Sequence, residues 1–515
     1  MHRPTRLVRL TPVALLAALI ALLLPASAAA APKPGSLSLG DPYFPQIGNG
    51  GYDALHYDLH LDYDPVANTL ATGTRTTITA RATQDLSSFG LDFQRDLAIS
   101  AVTVNGQPAT FARRDARQRL SRNRKVTQPA KLIVTPSSPL VKRARFTVVV
   151  DYSGAPVPIT DTDLTQEGWV HACSTAGDCD GSFTVNEPIG AQSWFPCNNH
   201  MTDKATFTTS ISVPAGYTAL GVGELAGTTQ TPDDRTTWIW TEDDPTATYL
   251  TTATVGHLDF AVASMRERVT GKSLPIFGSI VSAGPQKLRD KVERNVKAVP
   301  SMINFLGKRF GPYPFDSAGY VADWVPSVGY ALENQTKPHF AGTEQGPEIN
   351  KPELLHELAH QWMGDSVTGR SWGQIWFNEG WATFAEVYWG AKVNGARQTP
   401  RQFFRAVLGI DREQFERAPA DLGDPSHLFD SVPVYNRPGA MLEGYREIVG
   451  NHRFFHFARK LGVEHRHDVI GEGEFVATAK RLSGLGARGQ LRLGKYFRQW
   501  LHREGKPTLT PSDFR

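Results

Sequence analysis

The sequence predicts a multidomain α+β protein, an N-terminal β-sandwich or open β-saddle domain followed by a mostly helical domain. Three observations carry this. Short runs of alternating polar and apolar residues occupy the chain from about Gly51 to Phe260, and helix-length apolar periodicity takes over from about Pro285 to Trp500. The texture changes between Phe260 and Lys272, which divides the chain into 1–30, a β domain over 31–265 and a helical domain over 266–515.

The first segment is not part of either domain. Arg3, Arg6 and Arg9 precede an apolar run from Val13 to Leu24, and small residues follow through Ser27 to Ala31 before Pro32. That order is the pattern of a secretory signal peptide cleaved near Ala30, because the run is too short to span a bilayer and no cysteine follows to take a lipid. Secretion to the extracellular space, without stable membrane insertion, is the expectation. Removing the three arginines takes the formal charge from +3 to 0, so no global field draws the mature chain toward nucleic acid or membrane. A local basic run between Arg113 and Lys125 reads as a solvated loop between strands.

Strand patterns build the β half. In His56-Tyr57-Asp58-Leu59-His60-Leu61-Asp62-Tyr63 and in Arg145 to Val150 every second residue is apolar, as one buried face requires. Turn clusters such as Asn105-Gly106 and Pro232-Asp233-Asp234 separate the runs. With only 3 cysteines, a large apolar core rather than a disulfide framework must hold the chain together. Cys173 and Cys179 flank a short Gly- and Asp-containing loop and are positioned to bridge, which leaves Cys197 as a buried packing thiol after Trp194-Phe195-Pro196.

In the helical half, Leu288, Val292, Val296 and Val299 fall at helical spacing, and the pattern closes with Lys495 to Leu501. The chemistry lies between them. His356-Glu357-Leu358-Ala359-His360 on a helix sets two imidazoles one turn apart on one face and turns Glu357 aside. A metal held by His356 and His360 needs a third protein ligand to leave one position for water, and Glu379 within the helical segment Gln374 to Glu386 supplies a carboxylate. Met363 and Ser366 stand where a Gly and a third His would continue the other common form of this motif, so that route is excluded. One Zn2+ per chain is the cofactor this donor set selects.

Taken with its neighbours, the motif resembles the aminopeptidase N family of zinc metallopeptidases, the gluzincins. Gly329-Tyr330-Ala331-Leu332-Glu333-Asn334 is similar to that family's exopeptidase loop, with Tyr330 where Gly is usual and Leu332 where Met is usual. Glu187-Pro188 leading into Trp194-Phe195-Pro196-Cys197 and Lys204-Ala205-Thr206-Phe207, then Phe310 to Phe315, then Tyr435 before Pro438-Gly439-Ala440, extend the likeness in order along most of the chain. The resemblance implies a thermolysin-like catalytic domain in a short form without the family's C-terminal helical-repeat domain.

It further implies a zinc metallopeptidase acting on peptides with a free N-terminus. Glu357 would be the general base and acid, and Tyr435 would donate its phenol to the developing oxyanion. A site that reads an α-ammonium needs carboxylates one residue's length from the metal, and Glu333 and Glu187 are the candidates. Glu386, two helical turns after Glu379, would accept a hydrogen bond from a zinc-bound imidazole. A thermolysin-type endopeptidase, an inactive zinc-bearing binding module and an enzyme that also opens epoxides remain alternatives, and nothing in the sequence selects an oligomeric state.

Overall fold

The computed structural model describes residues 1, 31–116, 125–345, 349–393, 395–396 and 398–514. The leader reading of 1–30, apart from its first residue, and the centre of the basic run, 117–124, lie outside the described residues. Arg113, at the start of that run, is not a loop residue: it sits in the strand Thr110–Asp115 and donates to the carbonyls of Phe93, Gln94 and Leu97. The solvated-loop expectation therefore fails at this end, since its guanidinium is spent on backbone carbonyls.

The N-terminal half is built of three sheets. The largest has nine strands and centres on Tyr52–Asp64, Arg75–Ala82, Arg145–Ser153 and Ala205–Pro214. Within Tyr52–Asp64, Tyr57, Leu59, Leu61 and Tyr63 are buried and His60 points out, the alternation that made the strand legible. A four-stranded sheet packs on one side, and a five-stranded sheet carrying Gln166–Cys173 and Cys179–Val185 faces the helical half. Cys173 and Cys179 are bonded to one another at the loop joining these two strands, and Cys197 is free and buried.

The second half is not all helix. It opens with a mixed five-stranded sheet ordered Leu258–Arg266, Ser273–Val281, Ala318–Asp323, His339–Ala341 and Ala331–Leu332. The expected boundary at 265/266 falls inside the first hairpin of this sheet, because the Leu258–Arg266 strand pairs along its whole length with Ser273–Val281. From Ser273–Val281 inward these strands are buried on both faces, and the outer strand Leu258–Arg266 is mostly exposed, so none shows the clean two-residue alternation that marks the first half.

The helices are α1 (Gln286–Val296), α2 (Val299–Phe310), α3 (Lys351–His360), α4 (Ile375–Lys392), α5 (Pro400–Gly409), α6 (Arg437–Glu464, bent at Gly450), α7 (Glu472–Leu482) and α8 (Ala487–His502). The single periodic run from Leu288 to Val299 breaks after Val296, so Val299 begins α2. Helix α3 starts cleanly: the Asn350 side chain accepts from the Glu353 amide at 3.0 Å, and Pro352 stands in the first turn, where a missing N–H costs nothing. Helix α4 is buried nearly all round, from Ile375 through Ala385, and packs directly on α3. One hydrophobic core runs through this half and takes in Val170, Phe183 and Trp240 from the β half, so the two halves share an apolar interior.

Candidate metal centre and adjoining cleft

Helix α3 presents His356 and His360 one turn apart, and α4 brings Glu379 across to meet them. The Nε2 atoms of His356 and His360 lie 3.1 and 3.4 Å from the same oxygen of Glu379. Donors at about 2.0–2.1 Å from a tetrahedral zinc are about 3.4 Å from one another, so the three atoms fit the corners around one ion. His360 and Glu379 are buried, and among the described residues no lysine or arginine pairs with either.

A second grouping, Glu333, Glu357 and His360, has its donor atoms within 4.8 Å of one another as well. It shares His360 with the first, so the two compete for one ion. The first provides two imidazole nitrogens and one carboxylate, the donor set of catalytic zinc, and the second provides a single imidazole. That chemistry assigns the ion to His356, His360 and Glu379.

Around this trio the other expected residues assemble. Glu386, two turns along α4 from Glu379, lies 3.3 Å from Nδ1 of His356 and so fixes the tautomer that leaves Nε2 free to face the ion. Glu357 is buried behind the trio, and burial pushes its carboxyl up to about 8 against the opposing pull of His356 and His360. Burial raises Glu379 too, but His360 and His356 outweigh it and hold that carboxyl below its ordinary value.

The Tyr435 ring centroid is 6.1 Å from that of His356. Burial, and then the charges of Glu379 and Glu187, push its phenol well up, so it remains a proton donor. This residue rides on a π-helical turn, Ser431–Asn436, leading into α6; the wider turn swings its side chain toward the cleft.

The carboxylates expected to read an amine are both present. Glu333 follows the strand Ala331–Leu332, is buried, and accepts from the Tyr249 hydroxyl at 3.3 Å. Glu187 arrives from the end of the strand Cys179–Val185; one of its oxygens is buried and has no hydrogen-bond partner among the described residues. Burial drives its carboxyl well up, and Glu333, Glu379 and Glu357 drive it further. Four carboxylates crowded this closely create a place for a cation.

Sequence reasoning missed part of the supporting frame. Tyr249 comes from the β half and touches both Glu333 and, at 3.5 Å, the Asn378 amide beside Glu379. Gln361, next to His360, donates to the Glu333 carbonyl at 3.0 Å. Neither lies in a motif, and only the proximity of Gln361 to His360 could have pointed to it. A cavity of about 220 Å³ borders Glu187 and Tyr435 and continues to Asp163 and Phe429, which no spacing rule had linked.

Comparison with known proteins agrees with this geometry. Residues 344–500 match the peptidase family M1 domain and residues 53–250 the peptidase M1 N-terminal domain, together more than half of the chain. The chain belongs to peptidase family M1. Its cofactor is accordingly Zn2+.

Among M1 relatives, leucine aminopeptidase 2 of Candida glabrata is 25% identical over 394 residues, covering 71% of this chain and 54% of that protein. The Aspergillus terreus leucine aminopeptidase 2 is 28% identical over 318 residues, covering 58% of this chain and 48% of its own. The chain thus spans about half the length of these relatives. A crystal structure of an M1 zinc metallopeptidase from Deinococcus radiodurans superposes with a TM-score of 0.75 at 26% identity, covering 92% of this chain and 99% of that one. A mutant form of the same enzyme bound to a Tyr-Ser-Ala substrate gives 0.74 at 25%, with 92% and 99% covered.

Proposed function

We propose that this protein is a secreted zinc aminopeptidase that removes N-terminal residues from peptides. The observation that carries the reading is Glu333. It is buried beside the metal trio, has no lysine or arginine partner among the described residues, and lies close enough to Glu187 to raise that carboxyl's pKa. A buried carboxylate pair without a counter-ion is costly unless a cation arrives with the substrate, and a free α-ammonium is that cation.

In this reading His356, His360 and Glu379 hold the zinc. The bound ion supplies Lewis acidity, lowering the pKa of a coordinated water and polarising the scissile carbonyl. Glu357 takes the proton of the attacking water and returns it to the leaving amine. Tyr435 donates its hydroxyl to the carbonyl oxygen as charge builds there. Glu333 and Glu187 fix the α-ammonium, so the first peptide bond, and no later one, reaches the metal.

The leader of residues 1–30 supports export, and no helix among the described residues is long and apolar enough to cross a membrane. The reactive centre is built almost wholly from the second half, and the β half contributes Glu187 and Tyr249. Digestion of one peptide in N-acetylated and free forms tests the proposal. The free form should lose residues one at a time in a chelator-sensitive reaction while the acetylated form survives; cleavage of both would select the thermolysin-type endopeptidase instead. Glu333→Ala should raise KM and lower kcat on aminoacyl substrates with zinc content unchanged, and undiminished cleavage would remove its role.

A further inference from the structure

The cavity beside Glu187 and Tyr435 has one feature the reaction itself does not use. Its walls are Val328, Tyr330, Ala331 and Phe429, and Asp163 and Thr165 stand at its edge. An α-ammonium held by Glu187 and Glu333, with its carbonyl toward Tyr435, leaves the side chain of the first residue to enter this space. The lining of this space combines apolar surface with the exposed carboxylate of Asp163 at its edge.

Asp163 is held there by its own turn. The Asp161 amide donates to the Thr165 carbonyl at 2.9 Å and the Leu164 amide to the Asp161 carbonyl at 3.0 Å, with Leu164 in the left-handed region at φ 73°. The Thr165 amide and hydroxyl both donate to one oxygen of Asp163, at 2.9 and 2.8 Å. Thr162 ties the turn to the other half of the molecule by donating to the Pro425 carbonyl at 3.0 Å, four residues before Phe429. Among the described residues no hydrogen-bond donor or cationic side chain engages the second oxygen of Asp163, whose side chain is exposed. Glu187, whose buried oxygen is also unpartnered, borders the same cavity and adds to its negative character.

We infer that Asp163 is a specificity-determining residue that receives the cationic end of a basic first residue, lysine or arginine, while Val328, Tyr330, Ala331 and Phe429 cover its methylenes. Long basic side chains suit such a slot because their stems bury like hydrocarbon and only the tip needs a charge or water. The inference rests on the aminopeptidase reading above and names its substrate class.

The test uses the zinc-loaded full-length protein and the p-nitroanilides of arginine, lysine and norleucine, the last matching lysine's stem without its charge. The unaltered protein should favour arginine and lysine in kcat/KM, and added salt should erode that margin. Asp163→Asn should lower kcat/KM about tenfold on the two basic substrates, chiefly through KM, and leave norleucine within about twofold, the usual scale for losing one charge-assisted contact. Equal losses on all three, or none on the basic pair, would overturn the assignment while the aminopeptidase reading stood. Inertness toward all three would overturn that reading and this assignment with it.

Discussion

Each side chain at the metal centre has a chemical reason for its identity. Glu386 sits 3.3 Å from His356 Nδ1, and it is the carboxylate that orients this imidazole. Glu386→Gln should weaken zinc binding on the order of 10–100-fold, as seen when such outer partners are lost, with the melting temperature of the zinc-free protein little changed. Competition against a chromogenic chelator would measure it. Tyr435→Phe keeps the ring and removes the donor. It should lower kcat about 100-fold with KM and zinc content unchanged, the scale for one oxyanion donor, and steady-state kinetics on an aminoacyl anilide would show it.

At the scale of elements, the site depends on a strand being tethered to the other half of the molecule. Asn334, next to Glu333, donates to the Thr251 carbonyl at 3.1 Å and to the Thr252 hydroxyl at 3.0 Å, both in the β half. Asn334→Ala removes both bonds, although Asn186 still donates to the Thr251 carbonyl at 2.7 Å, and it frees the Glu333 segment. It should cost about 1–3 kcal/mol in denaturant unfolding and raise KM for unblocked substrates. Helix α3 needs less help, since its cap, its proline and its apolar face are all local. That difference explains what the sequence could reveal: His356, Glu357, His360, Glu379 and Glu386 are legible because helix periodicity alone decides which face they share. Tyr249 and Gln361 were not, because their contacts span long stretches of chain and belong to no periodic pattern.

At the scale of the whole molecule, the two halves meet around buried polar groups as well as apolar ones. His339, fully buried in the mixed sheet, shares a 2.9 Å hydrogen bond with Thr254 of the β half and packs its ring 5.1 Å from Phe183. Burial lowers its pKa from 6.5 to about 3. The sign follows directly: below pH 6.5 the unfolded chain binds a proton that the folded chain refuses until about pH 3, so this contribution is whole above 6.5 and drains as the pH falls. Between pH 6.5 and 5 it should amount to about 2 kcal/mol.

Asp161 and Asp323, raised to about 7 by burial, act oppositely and lose their contribution as the pH rises, so the comparison must be between variants. His339→Gln should be less stable than the parent at pH 7 yet lose less on acidification. Parallel pH profiles for the two proteins, by urea unfolding, would contradict the assignment.

By itself the sequence determined the order of a β half and a helical half, the helix that pairs His356 with His360, and a carboxylate at Glu379 able to join them. These are properties of local periodicity and of ligand chemistry, which need no knowledge of distant contacts. Only the tertiary structure decided that a mixed sheet opens the second half across the expected boundary, that Tyr249 and Gln361 brace Glu333, and that Asp163 from one half and Phe429 from the other enclose one cavity. Those outcomes depend on which surfaces the shared core brings together, and no spacing along the chain records that.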